Sequence, residues 1–523
     1  MRAIIEVQYD GPSESFAWLL PVEGSPEVGI SSTSALDALQ FATNPSYVLN
    51  VRVEGECDEE PAPTSVGVPG AAEDSAFDGG LAAAPGDSGV EVLDRGTVGP
   101  YDYVTISVTD PDGDQVRVAV EWLQDNGYDV TEDQAARLRP YLASGQNLIA
   151  FRLTKGASTG SIRPIELIFG SGLPAIPIRP TAVAANDDMG VLVWVLGEAR
   201  AYPVNYRSLV LNDALIDWFN PSRNYDEVVT AAADEAGGQG FVTEYAGSPE
   251  QAADNVYPEW TASQWTELRR RGLAGEEPLP ELVFDFLNQF GAWDGIRDLL
   301  ARTLDLTSEQ LDEFMMCPGC IDADPITWLG EHIREGVTTA SFVEDAEDLV
   351  IAPVRRFAEE LDEHPWMTRL YTTMSPEEMT LDPMFDFNAS LPEVSNVHTA
   401  EQVIECAPGY RVSEAPWRIV LPSGQVVRGE GGRSWPFGDP ASAEMPANLL
   451  VERVGADGSM VVADNRGQVR ERLERHNARV AARTSGRAAG GGLCSVGGSS
   501  SAAAGWLLVV AGLLGLARRR RRS

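Results

Sequence analysis

The last residues of the chain constrain its architecture most strongly. Residues 502–517 carry no charge, and five arginines follow directly. Sixteen helical residues span about 24 Å, and residues 499–501 extend the run towards the roughly 30 Å of a hydrocarbon core. Burial of this run as a core helix is disfavoured because five consecutive arginines are hard to bury. We therefore expect a single transmembrane helix containing Ala502, Trp506, Leu508, Val510, Leu513 and Leu516, with a cytoplasmic anchor formed by Arg518, Arg519, Arg520, Arg521 and Arg522 and the body on the other side.

A glycine-rich segment with one cysteine precedes this run. Gly490, Gly491, Gly492 and Cys494 come first, then the apolar helix, then the arginines. The three parts in this order resemble the MYXO-CTERM sorting signal of myxobacteria. The resemblance implies recognition by a membrane protease, processing near Cys494 and delivery to the cell surface. An ordinary single-pass tail with an incidental thiol is the alternative.

The chain of 523 residues is strongly acidic, with a formal net charge of −40. This charge argues against nucleic acid as a partner, because the phosphate backbone would be repelled. The segment from Met1 to Tyr9 has no apolar core of the kind a signal peptide needs, and its apolar residues alternate as in a strand. An exported body needs an export signal, so we expect the true start to lie upstream of Met1.

Length and residue patterning predict an α+β fold with several parts. The fold class is a β-rich N-terminal part with inserted helices, a helical middle, a small β-rich C-terminal part and one transmembrane helix. The predicted organisation is a β-rich domain (1–57 and 92–245) interrupted by a flexible Ala/Gly/Pro/acidic loop (58–91), a helical region (246–365), an irregular and short-strand region (366–465), a charged helix (466–483), a Gly/Ser linker (484–501), the transmembrane helix (502–517) and the arginine tail (518–523).

Several stretches of the first half carry a second resemblance. They read Phe16-Ala-Trp-Leu-Leu-Pro-Val22, Trp122-Leu-Gln-Asp-Asn-Gly-Tyr128, Met189-Gly-Val-Leu-Val-Trp-Val195 with Ala201-Tyr-Pro-Val-Asn-Tyr206, and Phe241-Val-Thr-Glu-Tyr245. Residues 1–55 and 92–245 resemble the bacterial family called domain of unknown function 2330. The resemblance implies an exported protein but no activity, so it supplies no catalytic residue. Members usually begin with a signal peptide and a cysteine-containing leader, and this sequence shows neither.

The cysteines allow disulfides in a non-cytoplasmic body. Cys317-Pro-Gly-Cys320 could close a small disulfide, exchange disulfides or supply half of a zinc site. We favour the structural disulfide, because Pro and Gly are exchanged relative to the thioredoxin order and no second cysteine pair is present. Cys57 and Cys406 are the remaining disulfide candidates, and neither a metal nor another cofactor is expected.

Other candidate chemistry is weak. The carboxylates Asp382, Asp386 and Glu393 lie near His398 in sequence and could hold a cation or transfer protons, although a solvated loop explains them better. The run from Asp110 to Asp114 has part of a calcium-loop pattern, but a turn in which Asp114 caps a helix fits better.

These observations predict a surface-anchored envelope protein with a binding or structural role and no enzymatic activity. The expected partners are the membrane and a sorting protease. Two alternatives remain open, namely a thiol–disulfide oxidoreductase using Cys317 and Cys320 and a calcium-dependent adhesin.

Overall fold

A computed structural model describes residues 1–7, 17–58, 89–109, 114–128, 130–154, 162–170, 172–317 and 324–489. The predicted loop at 58–91, except its ends, and the predicted linker, membrane helix and arginine tail from residue 490 onwards lie outside these residues. No helix in the described ranges is both long and apolar enough to cross a membrane. The transmembrane segment therefore stays a prediction.

The fold is mixed α+β, as the sequence predicts. The strands are β1 (Arg2–Ile5), β2 (Ala17–Val22), β3 (Glu27–Ile30), β4 (Ser46–Glu54), β5 (Val90–Val98), β6 (Tyr101–Val108), β7 (Asn147–Leu153), β8 (Ile165–Ile168), β9 (Met189–Gly197), β10 (Ala201–Pro203), β11 (Arg207–Leu211), β12 (Gly240–Gly247), β13 (Trp366–Met374), β14 (Phe385–Phe387), β15 (Val397–Glu405), β16 (Trp417–Val420), β17 (Val426–Gly429), β18 (Asn448–Gly455) and β19 (Gly458–Asp464). The helices are α1 (Thr33–Thr43), α2 (Gln115–Asp125), α3 (Glu132–Ala143), α4 (Tyr225–Glu235), α5 (Glu250–Val256), α6 (Glu259–Ala274), α7 (Leu279–Phe290), α8 (Ile296–Thr303), α9 (Ser308–Met316), α10 (Pro325–His332), α11 (Thr339–Ala346), α12 (Ala352–Asp362) and α13 (Arg466–Ala489).

The N-terminal part contains two antiparallel sheets. Their orders are β2-β7-β6-β5 and β1-β8-β3. Helices α2 and α3 pack on the first sheet over a core that includes Ile106, Leu123 and Leu148. Asp114 accepts a hydrogen bond from the Arg117 backbone N–H at the start of α2, as predicted from the turn.

A six-stranded mixed sheet forms the centre of the protein, in the order β19-β18-β11-β12-β13-β9. Strands β11 and β12 are parallel, and α4 makes the crossover that a parallel pair requires. Helix α4 covers one face of this sheet, where Val228, Val229 and Ala232 are buried.

A four-stranded sheet in the order β17-β16-β15-β4 joins the two ends of the chain. Strand β4 pairs in parallel with β15, from Ser46 opposite Val397 to Glu54 opposite Glu405. Just beyond these strands Cys57 is bonded to Cys406, which confirms that the body contains a disulfide. Strands from the N-terminal and C-terminal parts of the chain thus share this sheet, and the division into domains stays a prediction.

The middle of the chain is helical, as predicted, and packs around Phe286, Leu300 and Phe342. Helix α6 begins after Pro258 and buries Thr261 in its first turn, so Thr261 does not cap it. Helix α13 continues to Ala489, six residues past the predicted end at residue 483, so the predicted linker begins inside the helix.

Candidate functional site

A polar pocket lies at the point where β10 leads into β11. Its volume is about 340 Å³, a size at the lower end of small-molecule sites. Polar groups make up most of its wall. The lining residues are Val204, Asn205, Tyr206, Arg207, Ala236, Gln239 and Arg453.

Three elements bring these residues together. Arg207 begins β11, and its backbone N–H donates to the Gln239 carbonyl oxygen at 2.9 Å. Helix α4 ends next to the pocket at Ala236, where Gly237 and Gly238 both have positive φ (78° and 73°) and turn the chain into β12. Arg453 comes from β18, the strand on the other side of β11.

The amide groups and the hydroxyl of the pocket already have partners. Asn205 donates to the Asp382 carbonyl oxygen at 2.7 Å and accepts from the Met384 N–H at 2.9 Å. Gln239 Nε2 donates to Thr380 Oγ1 at 3.1 Å. Tyr206 donates to the Leu381 carbonyl oxygen at 2.5 Å. These groups shape the wall of the pocket, and Arg207 and Arg453 are the remaining polar side chains in it.

Neither Arg207, which is half-buried, nor Arg453, which is exposed, forms an ion pair or a side-chain hydrogen bond with another described residue. Two other half-buried arginines of this acidic chain have carboxylate partners, whereas the Arg200 guanidinium bonds to the Pro392 carbonyl oxygen and the Thr243 hydroxyl. Arg271 pairs with Glu277, and Arg355 pairs with Glu347. The charge at the pocket is thus balanced by no described carboxylate in direct contact.

Two acidic side chains that adjoin these elements are held by backbone N–H groups. Glu235, at the end of α4, accepts from the N–H groups of Ala447 and Asn448 at 2.7 and 3.0 Å. Glu378 accepts from the Ser375 N–H at 2.9 Å. These bonds fix the two carboxylates in place.

Behind Tyr206 lies a second polar group around Asp382. Tyr141 donates to its carboxylate, with both oxygens within 2.8 Å. Burial raises the pKa of Tyr206, the negative charge of Asp382 adds to the rise, and the positive charge of Arg179 opposes it. The Nε of Arg179 is buried without a hydrogen-bond partner among the described residues. A third guanidinium therefore lies close to the pocket.

The structure does not bring the other sequence-predicted residues together. His398 stacks on Tyr47 with ring centroids 4.7 Å apart, and burial lowers the pKa of its imidazole. Asp386 accepts from the Phe387 N–H, and Glu393 is exposed. No group of three potential metal ligands occurs in the part of the chain that the structure describes.

The Cys317 motif is only partly described. Cys317 is disulfide-bonded and lies at the carboxyl end of α9, whereas Cys320 lies outside the described residues. A helix carboxyl end disfavours a thiolate, and a reactive thiol of this type usually lies at an amino end. The oxidoreductase alternative stays a prediction, and this position gives it no support.

Comparison with protein families identifies the first half of the chain. Residues 2–289, more than half of the sequence, match the family described as "Uncharacterized protein conserved in bacteria (DUF2330)". The chain belongs to the DUF2330 family. No curated protein and no solved structure matches it. Within this DUF2330 protein the match includes Arg207 and α4, while Arg453 follows the matched residues.

This DUF2330 protein contains a buried ion pair that the sequence did not predict. Arg369 of β13 donates its Nε–H to Glu244 of β12 at 2.5 Å, and the side chains are only 5% and 1% exposed. Tyr225 donates to the other Glu244 oxygen at 2.5 Å. Burial raises the pKa of Glu244 although Arg369 and Tyr225 oppose the rise. The available signal was a glutamate inside the apolar run 241–245.

The remaining donors of Arg369 close the end of helix α1. They reach the Gln40 carbonyl oxygen at 3.0 Å, Thr43 Oγ1 at 2.9 Å and Asn44 Oδ1 at 2.8 Å. The guanidinium also lies over the Trp194 ring, 5.4 Å from its centroid. Because every contact is internal, this cluster fastens α1 to the central sheet and offers no open site.

Proposed function

We propose that this DUF2330 protein is exported, anchored at the cell surface by its C-terminal tail, and serves there as a binding module without catalytic activity. The observation that carries the proposal is the Cys57–Cys406 disulfide, which joins positions 349 residues apart. Disulfides of this structural kind persist in oxidising compartments and are rare in the cytosol.

The tail supplies the means of attachment in this proposal. Residues 502–517 span the membrane, Arg518 to Arg522 stay in the cytoplasm, and a sorting protease acts near Cys494. Each arginine would cost about 2.5–3.5 kcal/mol to place at the bilayer centre, so the five resist passage of the tail outward.

The polar pocket supports binding as the role of the exposed body. Its walls are fixed by hydrogen bonds, and it presents two guanidinium groups that no described carboxylate contacts. A preformed pocket with a few convergent charged groups is the usual form of a small-molecule site.

Cell fractionation with non-reducing gels tests the proposal. Full-length protein should be found at the cell surface, should be digested by protease added to intact cells, and should contain no free thiol at Cys57 or Cys406. Recovery from the cytosol with both thiols free would overturn the proposal.

The variant Cys494→Ser tests the sorting step separately. We expect the variant to remain at full length in the cell membrane, because the residue near which processing occurs is lost. A Ser495→Ala variant serves as the matched control, since it changes the neighbouring tail residue but keeps Cys494 and the Cys57–Cys406 disulfide, and it should still be processed. If Cys494→Ser is processed and displayed at the surface like the parent, the sorting interpretation is wrong and the tail is a plain membrane anchor.

A further inference from the structure

We propose that the pocket at the start of β11 binds a small molecule through an oxyanion group, with Arg207 and Arg453 as its two cationic contacts. This inference rests on the proposed binding role and names the chemical class of the ligand. A phosphate, sulfate or carboxylate group of a small molecule has the required chemistry.

The first argument is the charge balance within the pocket. Guanidinium groups form paired hydrogen bonds to oxyanions, and they stay charged throughout the physiological pH range. Acidic residues outnumber basic ones by 79 to 39 in this chain, so a carboxylate partner is easily supplied. Arg207 nevertheless has none among the described residues, although its side chain is half-buried. An exogenous anion would supply the missing counter-charge.

The second argument is that the competing groups are already engaged. The Asn205 amide and the Tyr206 hydroxyl bond to the chain segment 381–384. Glu235 and Glu378 accept from backbone N–H groups, so neither carboxylate is free to swing onto the arginines without losing those bonds. The arginines are the wall groups left to recognise a ligand.

The third argument is the third guanidinium, that of Arg179. Its positive charge acts on Tyr206, which lines the pocket, and its Nε is buried without a partner in the described part of the chain. Its one carboxylate contact within the described ranges is through its backbone N–H, which donates to Asp382 at 3.3 Å. Arg179 therefore offsets part of the negative charge of Asp382 behind the pocket wall.

The volume of the pocket indicates a molecule larger than an isolated inorganic ion. A cavity of about 340 Å³ also holds an organic body beside the charged group. Val204 and Ala236 provide apolar surface for that body.

Two forces oppose the binding and define its character. The net charge of −40 repels anions, but at physiological ionic strength its reach is only about 8 Å. The carboxyl end of α4, beside Ala236, adds a partial negative charge. Binding must therefore depend on direct contact with the guanidinium groups, and replacing either one should have a large effect.

Calorimetric titration of the purified full-length protein with inorganic phosphate and with sulfate tests the inference at constant ionic strength. We expect saturable binding of at least one of the two anions. Arg207→Gln and Arg453→Gln should each weaken the binding tenfold or more. Arg269→Gln is the matched control, because it removes the same charge from an exposed position on α6 and should leave the affinity unchanged.

Arg453 is exposed, so its variant keeps the test valid if Arg207→Gln fails to fold. Absence of saturable binding in the parent, or equal affinity in the Arg453→Gln variant, overturns the inference. A monosaccharide phosphate and an acidic polysaccharide, compared at equal charge concentration, distinguish a free ligand from the end group of a polymer. Surface display is measured independently, so loss of anion binding with display intact refutes this inference alone.

Discussion

Replacing Arg369 with methionine should destabilise the protein by about 3–5 kcal/mol at pH 7, the usual effect of breaking a buried ion pair from one side. The reason is local. The Glu244 carboxylate is 1% exposed and would keep only the hydrogen bond from Tyr225. The Gln40 carbonyl, Thr43 and Asn44 would lose donors at the end of α1 as well.

The uncompensated charge of Glu244 should dominate this loss. Burial already raises the pKa of Glu244, and removal of Arg369 takes away the main opposing charge. A carboxyl group with a raised folded-state pKa contributes stability below its unfolded pKa of about 4.3 and loses that contribution as pH rises through its folded pKa. The penalty of Arg369→Met should therefore grow as pH rises above about 4.3.

The double variant Arg369→Met with Glu244→Gln isolates the charge. A neutral amide at residue 244 should recover about 1–3 kcal/mol relative to Arg369→Met alone and should remove the added pH dependence. Urea denaturation followed by circular dichroism measures the free energy of unfolding and its pH dependence. For a protein of this size, a loss of about 4 kcal/mol corresponds to a melting temperature lower by roughly 4 °C in calorimetry.

Arg475→Met is the control for this cycle, because Arg475 forms an exposed pair with Glu471 and its loss should not be measurable. If Arg369→Met and the double variant unfold identically from pH 5 to pH 8, the buried carboxylate does not cause the loss. The role of Arg369 would then be confined to holding α1.

Two further predictions concern other parts of the body. Burial raises the pKa of Asp213 to about 6, so the protonated carboxyl group stabilises the fold below about pH 4, and this contribution is lost as pH rises through 6. Asp213→Asn should remove on the order of 2–3 kcal/mol of this pH dependence of the free energy of unfolding. Urea denaturation from pH 4 to pH 7.5 measures it, and a profile equal to that of the parent would contradict the prediction. The free energy of unfolding of the double variant Cys57→Ser with Cys406→Ser should fall by about 2–5 kcal/mol. Loop entropy alone would give about 6 kcal/mol for a separation of 349 residues. A melting temperature equal to that of the oxidised parent would show that the disulfide adds no stability.

Local signals in the sequence predicted local structure well. Asp114 caps α2, and Thr131 with Gln134 forms the capping box of α3, because these bonds join residues only three positions apart. The same Thr-x-x-Gln pattern at Thr261 and Gln264 does not cap a helix, because α6 begins at Glu259, directly after Pro258. Residues 213–219 form a set of turns, in which Asp217 accepts from the backbone N–H groups of Phe219 and Asn220.

The pocket and the buried ion pair could not be predicted because they depend on contacts between distant residues. Arg207 and Arg453 are 246 positions apart in number and meet through the pairing of β11 with β18. Glu244 and Arg369 are separated by 125 positions. Nothing in the spacing of these residues shows which partner each will have, since strand order is set by the packing of the whole sheet.

The parallel pairing of β4 with β15 determines the order of events during synthesis. Strand β4 ends at Glu54, and its partner ends at Glu405. At about 5–20 residues per second, a ribosome makes the intervening chain in roughly 20–70 s. Throughout that time β4 has no strand to pair with, and Val51 and Val53, which stay exposed even in the finished sheet, are accessible to other nascent chains. A chaperone that binds unfolded chains is therefore needed most during this interval.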